Sequence, residues 1–85
     1  MNVQLFTIYD IKSEAHLPIF SMRNKGEALR AFESTVKDKD NKNNQIAQYP
    51  SDYVLKLIGS FDDLSGVITP IEPHQILATG TEFVH

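Results

Sequence analysis

The first third of the chain combines cationic and aromatic side chains in the way that a surface for single-stranded nucleic acid does. The cations are Lys12, Arg23, Lys25 and Arg30, and the aromatic residues near them in the sequence are Tyr9 and Phe20. Bases stack on aromatic rings while cations contact phosphates, so this set predicts a weak nucleic-acid site. A second interpretation stays open, because strand aromatics in so small a domain are usually needed in the core.

The charge distribution limits how such a site could work. Residues 1–45 carry seven Lys or Arg and six Asp or Glu, whereas residues 46–85 carry one and five, which gives a net charge of −3. A protein that coats nucleic acid usually presents a clear positive field. Any phosphate contact is therefore expected to be local or to be made by a dimer, with Arg23 and Lys25 near a helix N-terminus whose N–H groups favour phosphate.

Two other groups of polar residues are of the types that serve in metal sites or in acid–base chemistry. His16, His74 and His85 are widely spaced and no cysteine accompanies them, so they do not match a zinc-ligand pattern. Asp62 and Asp63 are adjacent, whereas a calcium loop needs about five spaced oxygen ligands. We predict no metal site, and we predict that Asp62 accepts hydrogen bonds from the backbone of a turn.

The sequence contains no motif for catalysis or for a cofactor. Its four glycines stand apart, so neither a phosphate-binding glycine loop nor a nucleophile elbow can be formed. We predict a protein that is not an enzyme and binds no cofactor. The N-terminus lacks the pattern of a secretory signal, and no apolar run reaches about 18 residues, so we expect a cytoplasmic protein without a membrane partner.

The hydrophobic pattern predicts the elements that must position these residues. Alternation predicts strands over 3–9, 17–22, 53–58 and 67–71, with Pro18 placing the second at a sheet edge. Asn24 and Glu27 form an N-cap pair before a helix over 25–38. Residues 61–67 predict a hairpin whose Gly66 takes positive φ.

These elements predict an α+β fold in which an antiparallel β-sheet carries one amphipathic helix on one face, in the order β-β-α-β-β. Residues 1–85 are expected to form a single domain, with a mobile loop over 39–48 and a fraying tail over 74–85. Because the strands are apolar on both faces and one helix covers only one, we also predict a homodimer.

Several short segments, in this order, resemble the nonstructural protein of microviruses, especially of the gokushovirus branch of small single-stranded-DNA phages. They are Ile8-Tyr9-Asp10, Pro18 to Phe20, Asn24, Ala28-Leu29-Arg30-Ala31-Phe32, Tyr49-Pro50-Ser51-Asp52-Tyr53, and Ile58-Gly59-Ser60-Phe61-Asp62 through Gly66. The match covers about residues 4–73. Order and spacing together make it more specific than any one segment.

The resemblance implies a phage accessory protein that is absent from the virion and acts in the host cytoplasm. It implies a role in viral DNA replication or in the switch to single-stranded genome synthesis, through single-stranded DNA or a phage replication protein. The alternative is a small homodimeric interaction module that modulates a phage or host protein without binding nucleic acid.

Overall fold

The computed structural model describes residues 2–84, which form a five-stranded antiparallel sheet and one long helix. The strands are β1 (Asn2–Asp10), β2 (Ala15–His16), β3 (Phe20–Met22), β4 (Tyr53–Asp62) and β5 (Ile68–Thr79); the helices are α1 (Lys25–Lys37) and α2 (Gln45–Gln48). Strand β4 lies between β1 and β5, and both β2 and β3 pair with the other side of β1. The predicted α+β class is confirmed.

Helix α1 begins at a capped N-terminus. The Asn24 side chain accepts a hydrogen bond from the Glu27 backbone N–H at 2.9 Å, and the Glu27 carboxylate accepts one from the Arg23 backbone N–H at 3.0 Å. These bonds satisfy donors that the start of a helix leaves free. The helix predicted for residues 25–38 is confirmed with its end at Lys37.

The hydrophobic core lies between α1 and one face of the sheet. Its buried side chains are Phe6, Tyr53, Leu55, Leu57 and Ala78 from the strands and Ala28, Phe32 and Val36 from the helix. Successive side chains of a strand point to opposite faces, so Thr7 and Tyr9 lie on the face away from α1. The register places Lys56 opposite Thr7 and Ile76 opposite Lys56. We call this surface the open face.

The hairpin between β4 and β5 has the predicted turn chemistry. Gly66 has a φ of 78°, and its N–H donates to the Asp62 carbonyl at 2.7 Å. The Asp62 carboxylate accepts from the Leu64 N–H and the Ser65 hydroxyl, each at 3.0 Å. These bonds confirm the turn-capping role predicted for Asp62, and they hold its pKa below the ordinary 3.8.

The structure differs from the sequence-based expectation in three segments. Of the second predicted strand, 17–22, only Phe20–Met22 forms a strand, β3; β2 (Ala15–His16) precedes it, and Pro18, which has no N–H for a ladder bond, lies between the two. Helix α2 occupies the end of the loop expected over 39–48, where its Ala47 is buried. The chain after Pro73 continues β5 to Thr79 instead of fraying, and a 3₁₀ turn follows at Gly80–Phe83.

Packing explains the order at this C-terminal end. The Phe83 ring meets the Phe32 ring edge-on, with centroids 6.0 Å apart. Gly80 is buried against the Pro50 carbonyl, where a Cβ atom would overlap the backbone. The end of the described chain is thus part of the core that α1 closes.

Candidate nucleic-acid interface

Four side chains form a continuous row on and beside the open face. The Lys56 ammonium nitrogen lies 4.4 Å from the centre of the Tyr9 ring. The Tyr9 and His16 ring centroids are 4.7 Å apart, and those of His16 and His74 are 6.0 Å apart in an edge-to-face arrangement. We call Tyr9, His16, Lys56 and His74 the ring row. It joins the Lys56 cation to aromatic rings, a combination that surfaces for single strands also use.

Strand pairing brings the members of the ring row together. Tyr9 pairs directly with His16 across the β1–β2 ladder, and Lys56 is the diagonal neighbour of Tyr9 on β4, because Val54 stands opposite Tyr9. Diagonal neighbours remain within reach of long and aromatic side chains. The registers of β1 with β2 and of β1 with β4 therefore bring Tyr9, His16 and Lys56 together.

His74 reaches the row through an irregularity in β5. The register moves from Leu57 opposite Gln75 to Gly59 opposite Pro70, so residues 71–74 stand opposite the single residue Ile58. Extra residues of this kind re-aim side chains, and they are common beside functional sites. Here the irregularity places the exposed His74 near His16 instead of in a regular ladder position.

A shallow apolar groove of about 220 Å³ lies beside the ring row. Its lining residues are Thr7, His16, Leu17, Ile19, Ile58 and His74. Two hydrogen bonds fix the 17–19 wall on β1: the Leu17 N–H donates to the Ile8 carbonyl and the Thr7 hydroxyl donates to the Leu17 carbonyl, both at 2.8 Å. One backbone and one side-chain hydrogen bond thus hold the groove on that side.

The four cations predicted from the sequence occupy two separate places. Lys12 lies in the turn that joins β1 to β2, beyond the Tyr9–His16 and Asp10–Ala15 pairs, where its backbone N–H donates to the Asp10 carboxylate at 3.0 Å. The other three, Arg23, Lys25 and Arg30, follow β3 and lie at or along the first half of α1. Met22, which precedes Arg23, pairs with Gln4 near the start of β1, whereas Lys12 follows the end of β1 at Asp10. At about 3.3 Å per residue, Gln4 and Asp10 are roughly 20 Å apart along the strand.

Arg23 is already engaged by a carboxylate. Its guanidinium contacts Glu27 at 2.8 Å through Nη2 and at 3.2 Å through Nε. Hydrogen bonding and charge from Arg23 lower the pKa of Glu27. In turn, the hydrogen bond to Glu27 and its charge raise the pKa of Arg23. A phosphate that contacts Arg23 must compete with this exposed ion pair. Of the four predicted cations, Lys12 is the one that follows the end of β1 that carries Tyr9.

The two predicted aromatic residues have different positions. Phe20 stacks on the buried Phe6 with centroids 5.7 Å apart, so it belongs to the core side, as the second interpretation expected. Tyr9 is half-buried on the open face beside Lys56 and His16. Of the two, only Tyr9 contributes to the ring row.

The sequence-based site set did not include Lys56, His16 or His74. Lys56 alternates with the core residues Leu55 and Leu57, a signal that it faces away from them. The histidines were compared only with metal-ligand spacings. Their proximity depends on the pairing of β1 with β2 and on the irregularity in β5, which the sequence pattern does not reveal.

Within residues 2–84, no three His, Cys, Asp or Glu side chains converge in a way that could hold a metal ion. The third histidine of the sequence-based comparison, His85, lies outside the described residues. In the same part of the chain, no helix has both the length and the apolar character needed to cross a membrane.

Comparison with known proteins gives two matches that cover most of the chain. The family described as Phage ORF5 protein matches residues 3–83. Protein ORF5 of Chlamydia phage 1 is 34% identical over 74 residues, which cover 85% of this chain and 76% of the relative. No solved structure matches the chain significantly. The microvirus resemblance seen in the sequence is confirmed by these two findings.

Proposed function

Because the chain belongs to the phage ORF5 protein family, we propose that this phage accessory protein binds single-stranded DNA weakly through its open face during viral DNA replication. It acts in the host cytoplasm, stays out of the virion and performs no catalysis. A role in the switch to single-stranded genome synthesis, with a phage replication protein as partner, fits such binding.

The observation that supports this proposal most strongly is the ring row. Stacking on an aromatic face tolerates any base, because every base has a π-face, and Lys56 supplies a cation at the Tyr9 ring. The exposed Lys12 lies just beyond the same end of β1. A strand that follows the row meets stacking surfaces and phosphate-binding ammonium groups in sequence.

The net charge of −3 makes the proposed binding weak and dependent on local cations. Each phosphate contact adds about 0.7 to the salt slope of a single-strand complex. With Lys12 and Lys56 as the two cations near the row, we expect a shallow slope and affinity that is lost at moderate salt. Such binding suits a protein that assists replication more than one that coats a genome.

A homodimer along the outer edge of β5 is part of the proposal. In the described chain β5 ends the sheet order, and no strand pairs with its outer side. An exposed strand edge is a template for pairing. Antiparallel pairing of two β5 edges has its two-fold axis perpendicular to the sheet, so the open faces of both protomers, and both ring rows, would lie on the same side.

The second candidate function is a homodimeric interaction module that binds a phage or host protein without nucleic acid. Its support is the large apolar exposure near the open face, where Ile19, Ile68 and Ile76 are 61%, 61% and 64% exposed. Exposed apolar clusters often mark protein contacts. Titration of the protein into a labelled single-stranded oligonucleotide at low and moderate salt separates the two candidates, because only the first gives salt-sensitive binding.

A further inference from the structure

We infer that the groove beside the ring row captures one unpaired nucleobase, with His16 and His74 as its recognition walls. This inference rests on the proposed function and adds a site to it. Phosphate attraction alone would hold a strand by its backbone, whereas a base pocket gives the strand a point at which a base leaves the stack and enters the protein.

The volume of the groove suits one small ligand. Its volume of about 220 Å³ is below the range of roughly 300–1,000 Å³ that holds drug-sized molecules. One heterocyclic ring suits that scale. The floor is formed by Thr7 and Ile58, and the Thr7 hydroxyl is occupied by the Leu17 carbonyl, so the floor offers mainly apolar contact to a ring.

The two histidines supply the polar part of the groove. Both are exposed, and no hydrogen bond joins either imidazole to another group among residues 2–84. An imidazole can stack on a base, and its ring nitrogens can donate to or accept from the base edge. The edge-to-face arrangement of His16 and His74, with centroids 6.0 Å apart, presents both kinds of contact.

Lys56, which lies beyond Tyr9 from the groove, offers a contact to a base carried on a phosphate chain that an apolar side chain of a protein would not use. Tyr9 links the groove wall His16 to Lys56, through a ring distance of 4.7 Å and a cation distance of 4.4 Å. Lys12 lies beyond the same pair in the β1–β2 turn. A nucleotide whose base lies in the groove against the histidines can therefore direct an adjoining phosphate toward these ammonium groups.

The experiment compares a labelled oligothymidine with a chain of equal length whose residues are abasic, at low salt. The parent protein should bind oligothymidine roughly tenfold more tightly than the abasic chain, a difference typical of one stacked base. His74→Ala should remove that preference, so that oligothymidine and the abasic chain bind the variant equally. Tyr49→Ala, which alters an aromatic residue that is 58% exposed outside the groove, should retain the preference.

A measurement on the unaltered protein covers the case in which a variant fails to fold. In NMR titrations with oligothymidine, the imidazole C–H signals of His16 and His74 should shift, and the abasic chain should leave them in place. Equal binding of both chains, with these signals unshifted, would overturn base capture while leaving phosphate-driven DNA binding intact. Failure of both chains to bind at low salt would instead overturn the proposed function itself.

Discussion

The ammonium nitrogen of Lys56 lies 4.4 Å from the centre of the Tyr9 ring, across the boundary between β4 and β1. A contact of this kind contributes about 0.5–1 kcal/mol at an exposed site. Its larger effect here is positional, because it fixes a cation against the ring that also meets His16 at 4.7 Å. The one Lys or Arg in the acidic second half of the chain thus becomes part of the open face.

Replacement of Phe32 by alanine should destabilise the fold strongly. The side chain is 1% exposed and contacts Phe83 at the C-terminal end, so the variant should lose roughly 3–5 kcal/mol in free energy of unfolding. Lys42→Ala, in the exposed segment before α2, should change stability by less than about 0.5 kcal/mol. Urea denaturation followed by circular dichroism provides both values, and equal midpoints for these variants would show that the core face of α1 is misassigned.

Gly80→Ala should also destabilise the fold, for a different reason. A Cβ atom at this buried glycine would overlap the carbonyl of Pro50, and forcing extra volume into a packed site costs about 1–3 kcal/mol. The matched change is Gly26→Ala in the first turn of α1, where the nearest atom is Asn24 Oδ1 at 3.3 Å. That change should cost less than Gly80→Ala, because the Asn24 side chain needs to move by only a few tenths of an ångström and alanine favours a helix by up to about 1 kcal/mol over glycine.

The thermal melting temperatures of these two glycine variants provide the comparison. Gly80→Ala should melt below the parent and below Gly26→Ala. A Gly80→Ala protein that melts with the parent would mean that the 3₁₀ turn at Gly80–Phe83 does not pack on the Pro50 carbonyl in solution.

The hairpin turn should make a measurable contribution to acid sensitivity. Hydrogen bonds from the Leu64 N–H and the Ser65 hydroxyl lower the pKa of Asp62 in the folded protein. Its stabilising contribution is therefore complete above its unfolded pKa of about 3.9 and is lost as pH falls through the lower folded pKa. Asp62→Asn retains an acceptor for the turn but does not titrate.

We expect the parent to lose more stability than Asp62→Asn when pH is lowered from about 5 to below the unfolded pKa. Asp40→Asn, in the exposed segment after α1, is the control and should follow the parent. Denaturant titrations at a series of pH values give the result, and parallel curves for the parent and Asp62→Asn would contradict the turn-capping role.

Local signals in the sequence were sufficient for α1 and for the β4–β5 hairpin. Asn24 with Glu27 marked the start of the helix, and Gly66 marked the turn, because both depend on residues only a few positions away. The extent of β5 was missed, since Pro70 and Pro73 interrupt the strand pattern and the ladder to β4 continues beyond them. Helix α2 was missed because its four residues carry little periodic signal.

The candidate site was only partly accessible to sequence reasoning. Lys12 and Tyr9 were among the selected residues, and the structure places them at one end of β1. Lys56, His16 and His74 join them through strand register and through the four β5 residues opposite Ile58. The register between strands depends on the whole sheet. The alternation within one strand therefore predicts which face of the sheet a side chain lies on, but not which side chains of other strands lie beside it.

A homodimer should form at micromolar concentration. Ile76, which is 64% exposed on β5, should lie at or near the interface, so Ile76→Lys should shift the protein toward a monomer of 9.6 kDa. Leu64→Lys introduces the same charge at the hairpin tip, where the leucine is 88% exposed, and should leave the dimer intact. Sedimentation velocity makes the comparison, and a parent that sediments only as the monomer would rule out the dimer.

Fluorescence anisotropy with a labelled single-stranded oligonucleotide, at low and moderate salt, tests most directly whether the open face binds single-stranded DNA. The folded parent should bind weakly at low salt and lose binding as salt rises. Lys12→Glu with Lys56→Glu should abolish binding, whereas Arg23→Glu with Arg30→Glu, on the helix side and partly paired with Glu27, should weaken it less. No binding by the folded parent at low salt would contradict the account and favour the protein-interaction module.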